Sequence, residues 1–215
     1  MENNEDIHLY YFQLNARAAL IRCMLDVAKV KYTNHTLTWE EFQKVKTEKP
    51  LGSFEYDFLP VLSINGVYYS QSIAIASFLG KKLGFMGSNL EEEYEIMNIL
   101  ASSGDITGEI ADAYFTENKV EHDKKIQNIV DHYLPWMLPI YEKKFTSRKG
   151  HFMIGDKLSL ADMYFAYFFW VVRKKEPFLE SLKTHAPTLS VWAESVLTNE
   201  LKDWYNGTLG KEWSC

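Results

Sequence analysis

The hydrophobic period of this chain changes near residue 84. Ahead of it, short runs of branched and aromatic residues carry strand signals between helical stretches. Beyond it the strand signals nearly vanish and apolar residues recur at helical spacing. Strands with helices, then helices alone, predict an α/β domain followed by an all-α domain. Residues 84–90, Gly84-Phe85-Met86-Gly87-Ser88-Asn89-Leu90, hold two glycines and several turn formers. We place a linker there, with one domain over 1–83 and a second, all-helical one over 91–215. A chain of 215 residues has room for both and for a sizeable core.

In the first part, Ile7-His8-Leu9-Tyr10-Tyr11-Phe12 reads as a buried strand. Arg17 to Lys29 has helical spacing of Leu20, Ile21, Met24, Leu25 and Ala28, and Val30 to Leu37 suggests a second strand. That is the length of a βαβ crossover. Thr38-Trp39-Glu40-Glu41 looks like a capping box opening a helix that fades near Pro50-Leu51-Gly52. Asn65-Gly66 between Val61-Leu62-Ser63-Ile64 and Val67-Tyr68-Tyr69-Ser70 is a strong hairpin signal, because both turn residues tolerate positive φ. Ser72 reads as the N-cap of a helix ending near Gly80 or Gly84. The sum is βαβ-ββα, a mixed four-stranded sheet.

In the second part, Glu91 to Tyr114 reads as a long helix whose acidic first turn complements its dipole. Glu121 to Phe145 reads as another, bent at Pro135 and Pro139. Ser159-Leu160-Ala161-Asp162 is a capping box ahead of a helix over Met163 to Arg173, and a last helix covers Thr188 to Leu197.

Composition removes several functions. Lys plus Arg is 23 and Asp plus Glu is 29, a net charge of −6, which disfavours a broad nucleic-acid surface. No apolar run approaches the roughly 20 residues that span a bilayer. The start, Met1-Glu2-Asn3-Asn4-Glu5-Asp6, has no apolar core or Arg-rich helix of a targeting segment, so the expected location is cytoplasmic. Cys23 and Cys215 are the only cysteines; they make neither a disulfide framework nor a zinc centre, and no metal site is expected.

Four segments together resemble the cytosolic glutathione transferases, most like their tyrosine-type sigma and mu classes. Leu9-Tyr10-Tyr11-Phe12-Gln13-Leu14-Asn15-Ala16-Arg17-Ala18 is similar to the family's first strand and catalytic turn. Leu59-Pro60-Val61-Leu62 is similar to its cis-proline strand start, and Gln71-Ser72-Ile73-Ala74-Ile75 to its glutathione-carboxylate site. Gly155-Asp156-Lys157-Leu158-Ser159-Leu160-Ala161-Asp162 is similar to the capping motif of its helical domain. The resemblance implies a thioredoxin-like N-terminal domain, an all-α C-terminal domain, a homodimer, glutathione as co-substrate and small hydrophobic electrophiles as partners. Net charge and the short apolar runs lead us to expect neither a nucleic-acid partner nor membrane insertion.

The chemistry follows from the residue types. A thiol titrates near about 8.5, so little of it is thiolate at neutral pH. A hydroxyl donating to the sulfur favours the charged form. The resemblance gives this role to Tyr11, which precedes Phe12. Tyr10 is the competitor, and since strand neighbours point to opposite faces only one of them can serve. The plainer reading of Tyr11 is a core tyrosine. Arg17 adds a fixed positive charge, or forms an ordinary ion pair. Trp39 and Lys44 are the candidates for the glycine end of glutathione, with Lys46 and Lys49 as competitors and a hydrophobic lid as the plain role of Trp39. Leu59 and Pro60 would present backbone groups to its cysteinyl part through a cis bond, a form that costs only about 0.5–1 kcal/mol before proline. From the residues alone Pro60 reads equally as a trans proline opening a strand. Gln71 and Ser72 would hold the γ-glutamyl carboxylate at a helix N-terminus. Asp105 would meet the γ-glutamyl amine across the dimer. Leu14, Ile106, Tyr164, Phe168 and Trp213 are the candidates for the electrophile pocket, although aromatic residues at helical spacing are more often core.

Two departures from the family pattern stand out. The turn Asn15-Ala16-Arg17 lacks the usual glycine, and Ser53-Phe54-Glu55-Tyr56-Asp57-Phe58 replaces a compact approach to Pro60. Phe54, Tyr56 or Phe58 would then serve as an aromatic key at a dimer interface. The same departures leave room for a non-catalytic structural or assembly subunit of the same fold, or for a carrier of apolar ligands. The enzyme reading, a transferase with isomerase or peroxidase side activity, rests on Tyr11, Pro60, Gln71 and Ser72.

Overall fold

Alternation in β1 (Ile7–Tyr11) organises the first half of the protein. Ile7, Leu9 and Tyr11 are buried while His8 and Tyr10 stay half-exposed, as a strand with one packed face requires. The computed structural model describes residues 5–48, 55–148, 150–173 and 176–207. The chain divides into two compact units, one running to Met86 and taking in the stretch from Leu197, the other spanning Gly87–Val196.

In the first unit, β1 leads through a 3₁₀ turn (Ala16–Ala18) into helix α1 (Ala19–Val27) and then β2 (Thr33–Thr36). β1 and β2 are parallel, which completes the expected crossover, with β2 shorter than the periodicity suggested. Helix α2 (Trp39–Glu48) opens on the expected box: the Glu41 N–H donates to Thr38 Oγ1 at 3.1 Å and the Thr38 N–H to Glu41 Oε2 at 2.7 Å. β3 (Val61–Ile64) and β4 (Val67–Ser70) form the hairpin, and Asn65 and Gly66 take φ of 51° and 80°. The sheet order is β2-β1-β3-β4, with β1 and β3 antiparallel. Helix α3 (Ser72–Leu83) ends on Gly84 at φ 81°, where a side chain would be strained. Both α3 and α10 (Lys202–Asn206) pack on α1, and α10 brings Trp204 into the core.

The second unit is helical: α4 (Leu90–Tyr114), α5 (Lys119–Asn128), a π-helical turn (Ile129–Tyr133), α6 (Leu134–Thr146), α7 (Leu160–Val172), α8 (Glu176–His185) and α9 (Pro187–Thr198). Asn89 caps α4, its side chain accepting from the Glu92 N–H at 2.9 Å. α7 is buried except at Tyr167 and Val171. Its capping box is fully formed. Asp162 accepts from the Ser159 N–H (2.7 Å), the Ser159 hydroxyl (2.6 Å) and the Met153 N–H (2.6 Å). Glu142 of α6 caps α9 from outside, accepting from the N–H groups of Thr188 and Leu189. Among the described residues no helix is long and apolar enough to cross a membrane.

Two expectations need correction, and two helices were missed. The stretch 121–145 is not one bent helix but two joined by a π turn. Pro135 has no N–H to return to Asp131, so the ladder slips just ahead of it, while Pro139 is accommodated inside α6. Ser72 is the first residue of α3 rather than its cap. Gln71 holds the cap position, at φ 70° and ψ 109°, and makes no side-chain capping bond. Helices α8 and α10 were not anticipated.

Candidate functional site

The register collects the candidate residues of the first unit at one end of the sheet. Tyr11 closes β1, with Tyr10 opposite Val61, so Leu59 and Pro60 arrive next to it. Val61 faces Ser70, so Gln71 leaves β4 at the same end. Tyr11 faces Thr36, and the Leu37 N–H donates to the Tyr11 carbonyl at 2.9 Å, which brings the start of α2 and Trp39 to that end as well. The Leu59–Pro60 bond is cis.

Tyr11 is only 6% exposed, on the packed face. Its phenol oxygen accepts from the Arg17 N–H at 3.3 Å. Arg17 itself is exposed, so what it brings to this hydroxyl is a backbone donor. Tyr10 lies on the opposite face, stacked on His35, and burial together with Tyr68 and Asp6 pushes its hydroxyl above the ordinary range. Trp39 is 64% exposed yet stacks on Phe12, with Phe42 closing an aromatic triangle. Lys44 is exposed and sits 3.9 Å from Glu48, Lys46 is on the same helix, and Lys49 lies outside the described residues. The Ser72 N–H opens α3, at the end where a helix offers unpaired donors and positive potential.

Sequence reasoning missed the group that holds this turn. Arg22 of α1 is fully buried. Its Nε donates to Asn34 Oδ1 at 3.0 Å, and its two Nη atoms reach the carbonyls of Leu14 (2.5 Å) and Phe12 (3.4 Å) and Asn15 Oδ1 (3.5 Å). Its guanidinium carbon stands 5.6 Å from the centre of the Tyr11 ring. With Asn15 also buried, the turn that lacks glycine is built around a buried cation. A charge in the apolar run Leu20-Ile21-Arg22-Cys23-Met24 was the available signal. Cys23 beside it is buried, and burial and Asp26 push its thiol well up, so it is no nucleophile.

In the second unit Asp105 is exposed on α4, and Ile106, next in sequence, is completely buried. The Tyr164 hydroxyl donates to the Ser103 carbonyl at 3.3 Å, its ring stacks on Phe168, and burial raises its pKa. Leu14 belongs to the first unit, where its carbonyl accepts from Arg22. Trp213 and Phe54 lie outside the described residues. Tyr56 and Phe58 are exposed. Among the described residues no group of three or more His, Cys, Asp or Glu side chains is placed to hold a metal.

Residues 104–206 match the family model described as glutathione S-transferase, C-terminal domain. Glutathione S-transferase 2 of Manduca sexta is 28% identical over 184 residues, 85% of this chain and 87% of that one. S-crystallin SL11 of Nototodarus sloanii is 30% identical over 161 residues, covering 72% and 74%. The chain belongs to the glutathione S-transferase family. Its structure agrees: monomeric Na-GST-3, a glutathione S-transferase of the hookworm Necator americanus, superimposes with a TM-score of 0.80 at 28% identity, over 94% of this chain and 96% of that one. For a glutathione S-transferase, the mixed four-stranded sheet of the first unit is the thioredoxin-like part, and the helical second unit contains most of the matched C-terminal domain.

Proposed function

We propose that this glutathione S-transferase family member activates the glutathione thiol through the Tyr11 hydroxyl and adds the sulfur to hydrophobic electrophiles. The observation that carries the reading is the hydrogen bond from the Arg17 N–H to the Tyr11 oxygen, at the end of the sheet where the cis Leu59–Pro60 turn and Gln71 also emerge. A donor on the oxygen polarises the phenol and strengthens its own O–H toward a sulfur anion. The nearby Arg22 guanidinium adds positive potential.

The remaining roles follow the same chemistry. The backbone of Leu59 would pair with the cysteinyl unit in the manner of an added strand. The Ser72 N–H at the start of α3, with the Gln71 amide, would take the γ-glutamyl carboxylate. Trp39 and Lys44 would face the glycine end, and Asp105, supplied by a second copy, the γ-glutamyl amine. Leu14, Ile106, Tyr164, Phe168 and Trp213 would supply the apolar surroundings of the electrophile. Tyr56 and Phe58 are among the exposed aromatic residues, and they are the two that a homodimer would cover.

The test is conjugation of glutathione to a generic aryl halide, wild type beside Tyr11→Phe. Losing one donor to a developing charge costs about 10²–10³ in rate. That loss, with glutathione still retained on an affinity matrix, supports the role. Unchanged turnover removes it from Tyr11. Wild-type protein that neither conjugates nor binds glutathione favours the structural subunit of the same fold.

A further inference from the structure

The sheet has a second face with different chemistry. Because β1 alternates, His8 and Tyr10 point away from the side that holds Tyr11. The parallel register sets His35 of β2 beside Tyr10 and diagonally across from His8. The two imidazoles hydrogen-bond there, His8 Nδ1 with His35 Nε2 at 2.9 Å. The Asp6 carboxylate lies 3.0 Å from His8 Nε2, and Tyr10 stacks on His35 with ring centres 4.5 Å apart. The bond ties down a strand with few other holds. β2 is four residues long and lies at the edge of the sheet, paired with β1. On its packed side Asn34 accepts from Arg22, and on its outer side His35 meets His8. The strand runs straight into the Leu37 bond to Tyr11, the Thr38 cap and α2, a helix whose one buried residue is Phe42.

Asp6 selects the tautomer. A carboxylate only accepts, so His8 carries its proton on Nε2 and turns the Nδ1 lone pair toward His35, which donates its Nε2–H. The free nitrogen of the pair is then His35 Nδ1, and it takes the first proton in acid. The bond survives this step, since a charged donor on a neutral acceptor is the stronger form. A second proton has to go to His8 Nδ1. It sets two N–H donors and two positive charges face to face across 2.9 Å, and the bond is lost. Burial and the neighbouring His8 already hold His35 below the ordinary imidazole range. The groups around the pair are the Asp6 carboxylate, the Tyr10 phenol and Tyr68 of β4, which acts on Tyr10; β3 sets the uncharged Ser63 opposite His8. Asp6 offsets one of the two charges, and neither phenol carries a charge in acid.

We propose that the His8–His35 bond is an acid-released latch that ties β2 and the start of α2 to the sheet. Above the ordinary histidine range of about 6.5 the pair is closed, and with one proton it stays closed. Further into acid the second proton opens it, in the region of about pH 5–6 where histidine clusters switch other structures. The open form takes up a proton that the closed form refuses. Opening therefore gains up to about tenfold per pH unit as pH falls through that window. Release of His35 leaves β2 to Asn34 and the short ladder on β1, and α2 with Trp39 follows the strand. The β3–β4 hairpin does not depend on the pair. The latch is independent of the glutathione reading, since the pair occupies the other face of the sheet.

The test is amide hydrogen exchange read by nuclear magnetic resonance as protection between about pH 5 and 8, in wild type, His35→Phe and His8→Phe. Phenylalanine keeps a ring at each position and removes both nitrogens. In wild type, protection of Thr33–Thr36 and of the first turn of α2 is expected to fall by up to about tenfold per pH unit below about pH 6, while that of β3 and β4 stays level. Either variant should lower protection of β2 at neutral pH and leave it level across the range. Wild-type protection that stays level overturns the proposal, as does a fall of wild-type size in a folded variant. Should neither variant fold, the wild-type imidazoles decide: His8 and His35 are expected to titrate in two steps more than one pH unit apart, as interacting sites do. Equal titration of both near the ordinary value overturns the latch.

Discussion

Replacing Arg22 by Met removes the guanidinium around which the turn after β1 is built, while keeping an unbranched stem of similar volume. Packing loss should therefore be small. Four acceptors lose their donor. Two of the bonds are good, Asn34 Oδ1 at 3.0 Å and the Leu14 carbonyl at 2.5 Å, and two are long, the Phe12 carbonyl at 3.4 Å and Asn15 Oδ1 at 3.5 Å. A buried acceptor left unsatisfied costs about 1–3 kcal/mol. Counting the two good bonds, and crediting back the desolvation that the buried cation no longer suffers, gives a net loss of about 3 kcal/mol. That is a large share of the roughly 5–15 kcal/mol that keeps a protein folded. Urea unfolding measures it, with an unchanged m-value showing that the loss is one of stability. Arg22→Lys keeps the charge without the fork and should recover only part of the loss. A loss below about 1 kcal/mol in Arg22→Met, or full stability in Arg22→Lys, would refute the assignment of the turn to this fork.

Two further outcomes are expected. Gln71 sits at φ 70° and ψ 109°, a conformation that costs a residue with a side chain about 1–3 kcal/mol. Gln71→Gly should raise the melting temperature, by the equivalent of up to about 1 kcal/mol, and weaken glutathione retention as an amide donor disappears; parallel falls in both would place the residue's value in packing instead. Asp26 of α1 is pushed up to about 6, chiefly by burial, against the opposing hydrogen bond from Tyr32 and the charge of Arg22. Below about pH 3 it is protonated whether folded or unfolded. Between about pH 4 and 6 the folded protein holds the extra proton, so its contribution to stability falls as pH rises through that window and is flat above it. Asp26→Asn should flatten the stability profile there by about 1 kcal/mol, after allowing for solvent screening of a partly exposed group; an identical profile in the variant would assign the slope to other carboxylates.

Legibility followed locality. The Asn65-Gly66 hairpin, the Thr38/Glu41 and Ser159/Asp162 boxes and the apolar face of α1 depend on residues a few positions apart, and all stand where the sequence places them. The failures came where neighbours in space decide. Ser72 has the composition of a cap, but the chain leaves β4 through a strained Gln71 and enters α3 one residue early. Proline alone does not reveal how the ladder between α5 and α6 is relieved, because a kink, a break and a π turn are all open to it. Helix α10 is five residues long, too short to stand without the α1 surface on which Trp204 is buried.

At the candidate site the same division holds. Strand alternation alone turns Tyr10 and Tyr11 to opposite faces, and the residue pattern alone sets Pro60 and Gln71 on either side of a hairpin. It carried the family's motifs in order along the chain. Which tyrosine is packed follows from the folded arrangement alone, because it depends on which face of the sheet the helices cover. That arrangement alone placed the Arg17 N–H on the Tyr11 oxygen, Arg22 beneath the turn and His8 against His35. Each of these contacts joins residues that chain-local patterning treats as independent. Burial makes them matter, since a hydrogen bond or a charge removed from water costs far more to leave unpaired than one at the surface.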